Sequence, residues 1–126
     1  AIDFLKNAGC KANCFTDDAF LTAIGNDIGY DQVFALPLKS FLKKSDCLIT
    51  ISSSGNSPNI LEAIKIAKSV NCKIVTFSSM SGDNKSRNLG NINLYVSANT
   101  YGFAESAHHV LLHCWLDQFM KVQDWD

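Results

Sequence analysis

The stretch DCLITISSSGNSPNILEAI, residues 46 to 64, constrains this chain more than any other. Cys47, Leu48, Ile49, Thr50 and Ile51 form an apolar run with the length and bulk of a buried strand. The run stops at a polar loop, Ser52 to Ser57, which holds one glycine, Gly55. Pro58 follows, where a first helical turn tolerates a missing N–H. Ile60, Leu61, Ile64 and Ala67 then recur at helical spacing. A strand, a hydroxyl-rich loop and a helix in that order aim loop N–H groups and the positive end of a helix at one point, where an anion fits. Ser52, Ser53, Ser54, Ser57 and Asn56 add side-chain donors. The loop has no lysine, so it is not the nucleotide-binding P-loop, and its single glycine does not fit the dinucleotide fingerprint. The expected ligand is a phosphate on a small molecule. The same residues also spell a plainer arrangement, in which Ser57 caps the helix and the other serines make a turn.

The rest of the sequence narrows the setting. Its 126 residues suffice for a single domain, 1–126, and 47% hydrophobic content supplies a sizeable core. A net charge of −1, with acidic and basic residues interspersed, argues against nucleic-acid or membrane-surface partners. No apolar run approaches a membrane span, and no signal peptide is visible. Cys10, Cys14, Cys47, Cys72 and Cys114 are odd in number and lack a CxxC pair. They read as small residues in a reducing, cytoplasmic setting, and Cys10 and Cys14 lack the neighbours of a metal site. The chain opens Ala1-Ile2-Asp3-Phe4-Leu5-Lys6 without a methionine, like the tail of a helix already under way. A fragment is the expectation.

In chain order, a helix over 1 to 8 stops at Gly9. Lys11 to Thr16 is a short, mixed strand candidate. Asp17 or Asp18 caps a short helix through Ile24, and Gly25-Asn26-Asp27 is a break. Tyr30-Asp31 leads into a second helix, with Val33, Phe34, Leu38, Phe41 and Leu42 on one side and a kink at Pro37. After the helix at 58 to 70, Cys72 to Phe77 is an apolar strand. A loop from Ser78, a short helix around Lys85 to Leu89 and an alternating strand at Ile92 to Val96 follow. Strands alternating with helices predict an α/β domain with a parallel sheet and helices on both faces.

The last helix, from about Gly102 to about Val122, is apolar nearly all round, as helices in a core or an oligomer interface are. At about 100° per residue, Glu105, His109, His113 and Asp117 fall in one drifting stripe. The stripe is either the solvent face or a site, and Glu105, His109 and His113 have a spacing compatible with a metal.

The loop ISSSGNSPNILEAIKIAK, residues 51 to 68, resembles the signature of the sugar isomerase (SIS) domain family, whose members bind phosphosugars. Within it, the resemblance is to the phosphoheptose (sedoheptulose 7-phosphate) isomerases. It continues in Gly25-Asn26-Asp27-Ile28-Gly29-Tyr30-Asp31 and in Asn99 to His113. It implies a flavodoxin-like α/β three-layer sandwich around a five-stranded parallel sheet. The first strand and its glycine-rich loop would be missing, leaving four strands. It implies a homo-oligomer, a tetramer or dimer, with sites built between subunits.

By that resemblance Ser52, Ser53, Ser54 and Ser57 match the phosphate-binding loop, and Asn26 and Asp27 match a substrate-contacting Asn-Asp pair. Asp3 falls at a catalytic glutamate, Glu105 at a glutamine that contacts substrate or metal, and His113 at a catalytic histidine. Some members bind zinc through those three positions, so zinc at Asp3, Glu105 and His113 is implied with them. Asp3 is one methylene shorter than glutamate, and Glu105 is charged where an amide is expected. An aldose–ketose isomerase moves a proton between adjacent carbons and needs a base and an acid there, roles for which Asp3 and His113 are the candidates. The alternative is a non-catalytic phosphosugar-binding module, regulatory or for assembly. A third reading is a structural oligomerisation unit built on the last helix.

Overall fold

A computed structural model describes residues 1–122. Its elements, in chain order, are α1 (Ile2–Lys6), α2 (Asp18–Asp27), a 3₁₀ turn (Tyr30–Gln32), α3 (Ala35–Phe41), β1 (Cys47–Ser52), α4 (Pro58–Ser69), β2 (Lys73–Ser78), a 3₁₀ turn (Ser86–Asn88), β3 (Ile92–Tyr95) and α5 (Tyr101–Met120). The strands form one parallel sheet in the order β1-β2-β3, with Cys47 beside Lys73 and Val75 beside Ile92. This is the expected flavodoxin-like α/β arrangement.

Alternation along the strands builds the layers. Leu48 and Ile74 face α4, where Ile64, Ala67 and Cys72 close a core flanked by Leu42, Ile60, Val70 and Leu89. Phe77, one residue out of phase with Ile74 and Thr76, faces the opposite way and meets His108 and Trp115 of α5. Phe4 of α1 meets Trp115 edge-on with ring centroids 5.7 Å apart, which seats α1 on α5. Helices thus cover both faces of the sheet. Ile49 and Ile51, in register with Val75 and Phe77, remain 37% and 47% exposed, because α5 lies over β2 and not over β1.

Three expectations are corrected. Lys11 to Thr16 has no regular structure, so the described sheet has three strands and not four. A strand exists through its ladder, and no described strand pairs with this segment. Gly25-Asn26-Asp27 does not break α2, which runs through Asp27. A Cβ at Gly25 would meet the Tyr30 and Val33 side chains at 3.8 Å, an ordinary contact, so this glycine sits in a regular helical turn and need not end the helix. Pro37 causes no kink, because α3 begins only at Ala35 and its first-turn residues need no N–H partner. Asp17, one of the two residues expected to cap α2, does so, its carboxylate accepting from the amides of Ala19 and Phe20.

Candidate functional site

Where β1 ends, Ser52, Ser53, Ser54 and Ser57 line one open pocket of about 330 Å³, together with Phe34, Ile51, Asn59, Ile60 and Tyr101. The first turn of α4 borders it through Asn59 and Ile60, and because Pro58 lacks an N–H, Asn59 carries the first amide of the helix.

The serine hydroxyls divide their work. Ser52 Oγ accepts from the Gly55 amide at 3.1 Å, and Ser54 Oγ accepts from the Asn56 amide at 3.2 Å. These are the turn bonds of the plainer expectation. The other half of that expectation does not hold. Ser57 stands at the N-cap but makes no capping bond, and its hydroxyl lies 3.3 Å from Ser52 Oγ. The Ile60 amide is taken instead by Asn59 Oδ1 at 2.9 Å and by the Ser57 carbonyl, and the Leu61 amide by the same carbonyl, which leaves the Asn59 amide as the first-turn donor open to a ligand.

The loop keeps its shape through the segment after β2. Gly55 has φ +63°. A Cβ there would overlap the carboxamide of Asn84, which is 1% exposed. Asn84 Nδ2 donates to Ser81 O at 2.7 Å and Ser78 Oγ at 3.1 Å, while its Oδ1 accepts from the Arg87 amide at 3.0 Å and Ser86 Oγ at 3.1 Å. The Ser86 amide donates to Gly55 O, and the Lys85 amide to Asn56 Oδ1. The Arg87 guanidinium lies 4.2 Å from the Tyr95 ring centroid and holds the outer part of this segment.

Glu105, in the first half of α5, reaches the pocket's rim, where Ser53 Oγ donates to its Oε1 at 3.5 Å. The remaining candidates lie elsewhere. Asn26 and Asp27 are exposed at the end of α2, with Asn26 Nδ2 donating to Asp27 Oδ1 at 2.7 Å, and neither lines the serine pocket. Asp3 sits in the first turn of α1. His113 pairs with His109, their Nε2 atoms 2.9 Å apart, in a separate groove bordered by Ser106, Val110, Cys114 and Asp117. The polar stripe of α5 is therefore a surface feature within one chain, and Tyr101, Phe103, Val110 and Phe119 are exposed on the same helix.

Among the described residues no three histidine, cysteine or carboxylate side chains gather where a metal could be held. Asp3, Glu105 and His113 therefore do not fit zinc within one chain. Nor is any helix among the described residues long and apolar enough to cross a membrane.

The sequence reading missed Phe34, Tyr101 and Asn59 as pocket walls and Asn84 as the loop's support. Asn59 follows the loop at helical register and was open to detection; the other three come from distant elements with no local signal.

An SIS domain model matches residues 5–79. The phosphoheptose isomerase of Aliarcobacter butzleri is 41% identical over 98 residues, covering 78% of this chain and 51% of that protein. That of Campylobacter concisus is 37% identical over the same shares. Among solved structures, phosphoheptose isomerase GmhA from Neisseria gonorrhoeae superposes with a TM-score of 0.85 at 29% identity, covering 93% of this chain and 66% of that one. A phosphoheptose isomerase from Francisella tularensis gives 0.79 at 31% identity, covering 85% and 58%. The chain spans about half the length of the curated relatives it matches.

Proposed function

The chain belongs to the SIS domain family, and from that premise we propose that it is part of a phosphosugar aldose–ketose isomerase acting on sedoheptulose 7-phosphate or a close analogue. The observation that carries the reading is the serine pocket: four hydroxyls and the Asn59 amide at the start of α4 around an open space, with the N-cap bond left unmade. The names of the relatives in the comparisons support the substrate.

In this reading Ser52, Ser53, Ser54 and Ser57 hold the phosphate end, and that anchorage fixes where the sugar's first two carbons lie. One group takes the proton from one carbon and returns it to the next, while a second moves a proton between the oxygens. His113 and Asp3 are the candidates. Both are carried by the packed pair α1 and α5, away from the serine pocket of their own chain. They would serve a pocket on a second copy in a homo-oligomer. Asn26 and Asp27, exposed at the end of α2, would contact substrate in the same assembly.

The test is turnover of sedoheptulose 7-phosphate by the full-length protein. His113→Ala is expected to abolish it, and Ser54→Ala to raise KM about tenfold or more, the loss of a hydrogen bond to a charged group. No turnover of any sugar phosphate despite tight binding rejects the reading.

Glu105 favours a second reading, a phosphosugar-binding module without catalysis. Its carboxylate stands 3.5 Å from Ser53 Oγ, at the rim of a pocket meant for an anion. Calorimetric titration with several sugar phosphates, run beside the activity assay, separates the two.

A further inference from the structure

We infer that His108 is a positioning residue that fixes the rotation of α5 against the serine loop, and so sets where Glu105 stands relative to a bound phosphate. This rests on the reading of the loop as a phosphosugar site. His108 is 1% exposed, and its Nε2 lies 3.1 Å from Ser79 Oγ. Ser79, fully buried, directly follows β2, and its amide donates to the Ser53 carbonyl at 3.0 Å. One α5 side chain therefore reaches the backbone of the phosphate loop through a single intermediate residue. Glu105 stands about one helical turn before His108, and it reaches the same loop residue through Ser53 Oγ.

Packing alone does not account for a histidine at this place. The other buried residues of α5, Ala104 and Leu116, are aliphatic. The imidazole leaves its Nδ1 buried without a partner, a penalty an aliphatic side chain avoids. The edge-on contact with Phe77, at 5.9 Å between centroids, is one a leucine could also fill. Leucine cannot offer a nitrogen to Ser79. Without that bond the Trp115 contacts still seat the far half of α5, but His108 no longer fixes its first half against the loop, and a small shift there takes Glu105 out of reach of Ser53 Oγ, already 3.5 Å away.

The test uses the full-length protein with His108→Leu, His108→Gln and Ser79→Ala. Amide exchange is read first. His108→Leu and Ser79→Ala are expected to speed exchange of the Ser79 amide about tenfold, while the Val75 to Phe77 amides keep their protection. His108→Gln, whose carboxamide can still reach Ser79, is expected to restore the slow rate. With sedoheptulose 7-phosphate, kcat should fall about tenfold in His108→Leu with little change in KM, and recover in part in His108→Gln. Unchanged exchange at Ser79, or an equal rise all along β2, overturns the inference, as does an unaltered kcat in His108→Leu. A wild-type protein that turns over no sugar phosphate counts against the isomerase reading instead, and the exchange result alone then decides on His108. Should His108→Leu fail to fold, Ser79→Ala removes only a hydroxyl and gives the same readouts.

Discussion

The carboxamide of Asn84 lies directly against the α-carbon of Gly55, so that the segment after β2 forms the underside of the serine loop. Asn84 uses its amide and its carbonyl in opposite directions, donating toward Ser78 and Ser81 and accepting from Ser86 and Arg87. The loop's shape is thus decided by a residue that never faces the pocket.

Gly55→Ala should be among the most damaging single-atom additions in this chain. The left-handed backbone alone costs about 1–2 kcal/mol for a residue with a Cβ, and the methyl would also displace Asn84. Urea denaturation of the full-length protein is expected to show a loss of at least about 2 kcal/mol. Weaker binding of inorganic phosphate should accompany it.

Asn84→Ala leaves the hydroxyls of Ser78 and Ser86 without their buried partner. A loss of about 2–4 kcal/mol is expected by denaturation. Asn84→Asp keeps the shape but turns the donor toward Ser81 O into a second acceptor. It should be no milder, and a denaturation curve matching wild type would contradict the hub role.

Thr50→Val should stabilise. The Thr50 hydroxyl is buried on β1 with no hydrogen-bond partner, and valine has the same shape without it. A gain of about 1 kcal/mol is expected. It is read as a higher urea midpoint at unchanged slope.

Asp83 gives the outer loop an acid sensitivity. The Ser81 hydroxyl, and then its own backbone amide, hold the Asp83 carboxyl below its ordinary value of 3.8. A carboxyl with a lower folded than unfolded value stabilises the fold above the unfolded value, and that contribution is lost as pH falls through the folded one. The window therefore lies below pH 3.8. An NMR titration should find Asp83 protonating late, and Ser81→Ala should return it toward the ordinary value.

Burial pushes the Cys72 thiol up, partly offset by a backbone hydrogen bond from Leu48. Less thiolate and less access should make Cys72 slow to alkylate beside the exposed Cys14. Peptide mapping after brief iodoacetamide treatment should find Cys14 modified and Cys72 spared until urea is added.

What the sequence made legible was local. Cys47 to Ile51 and the spacing from Ile60 to Ala67 carry their own periodicity, and β1 and α4 appear within a residue of where those patterns put them. Lys11 to Thr16 misled because a strand needs a partner, which no window of six residues reveals. Gly25 misled because a glycine beside Asn and Asp resembles a turn, while the packing of α2 on the next turn carries the helix through to Asp27. In the site, the four serines were legible as a cluster and their pocket follows. Asn84 and the tie from His108 to Ser79 were not, since each joins elements far apart in the chain. His109 and His113 were visible as a stripe; that their nitrogens meet depends on rotamers.

The outer side of β1 forms no ladder with any other described strand, and Ile49 and Ile51 lie open beside it. A row of amides and carbonyls bordered by bare isoleucines is a template for any extended peptide that drifts past. Handled as an isolated polypeptide, this stretch should thicken into aggregates as concentration rises, and a lysine at Ile49 should delay them.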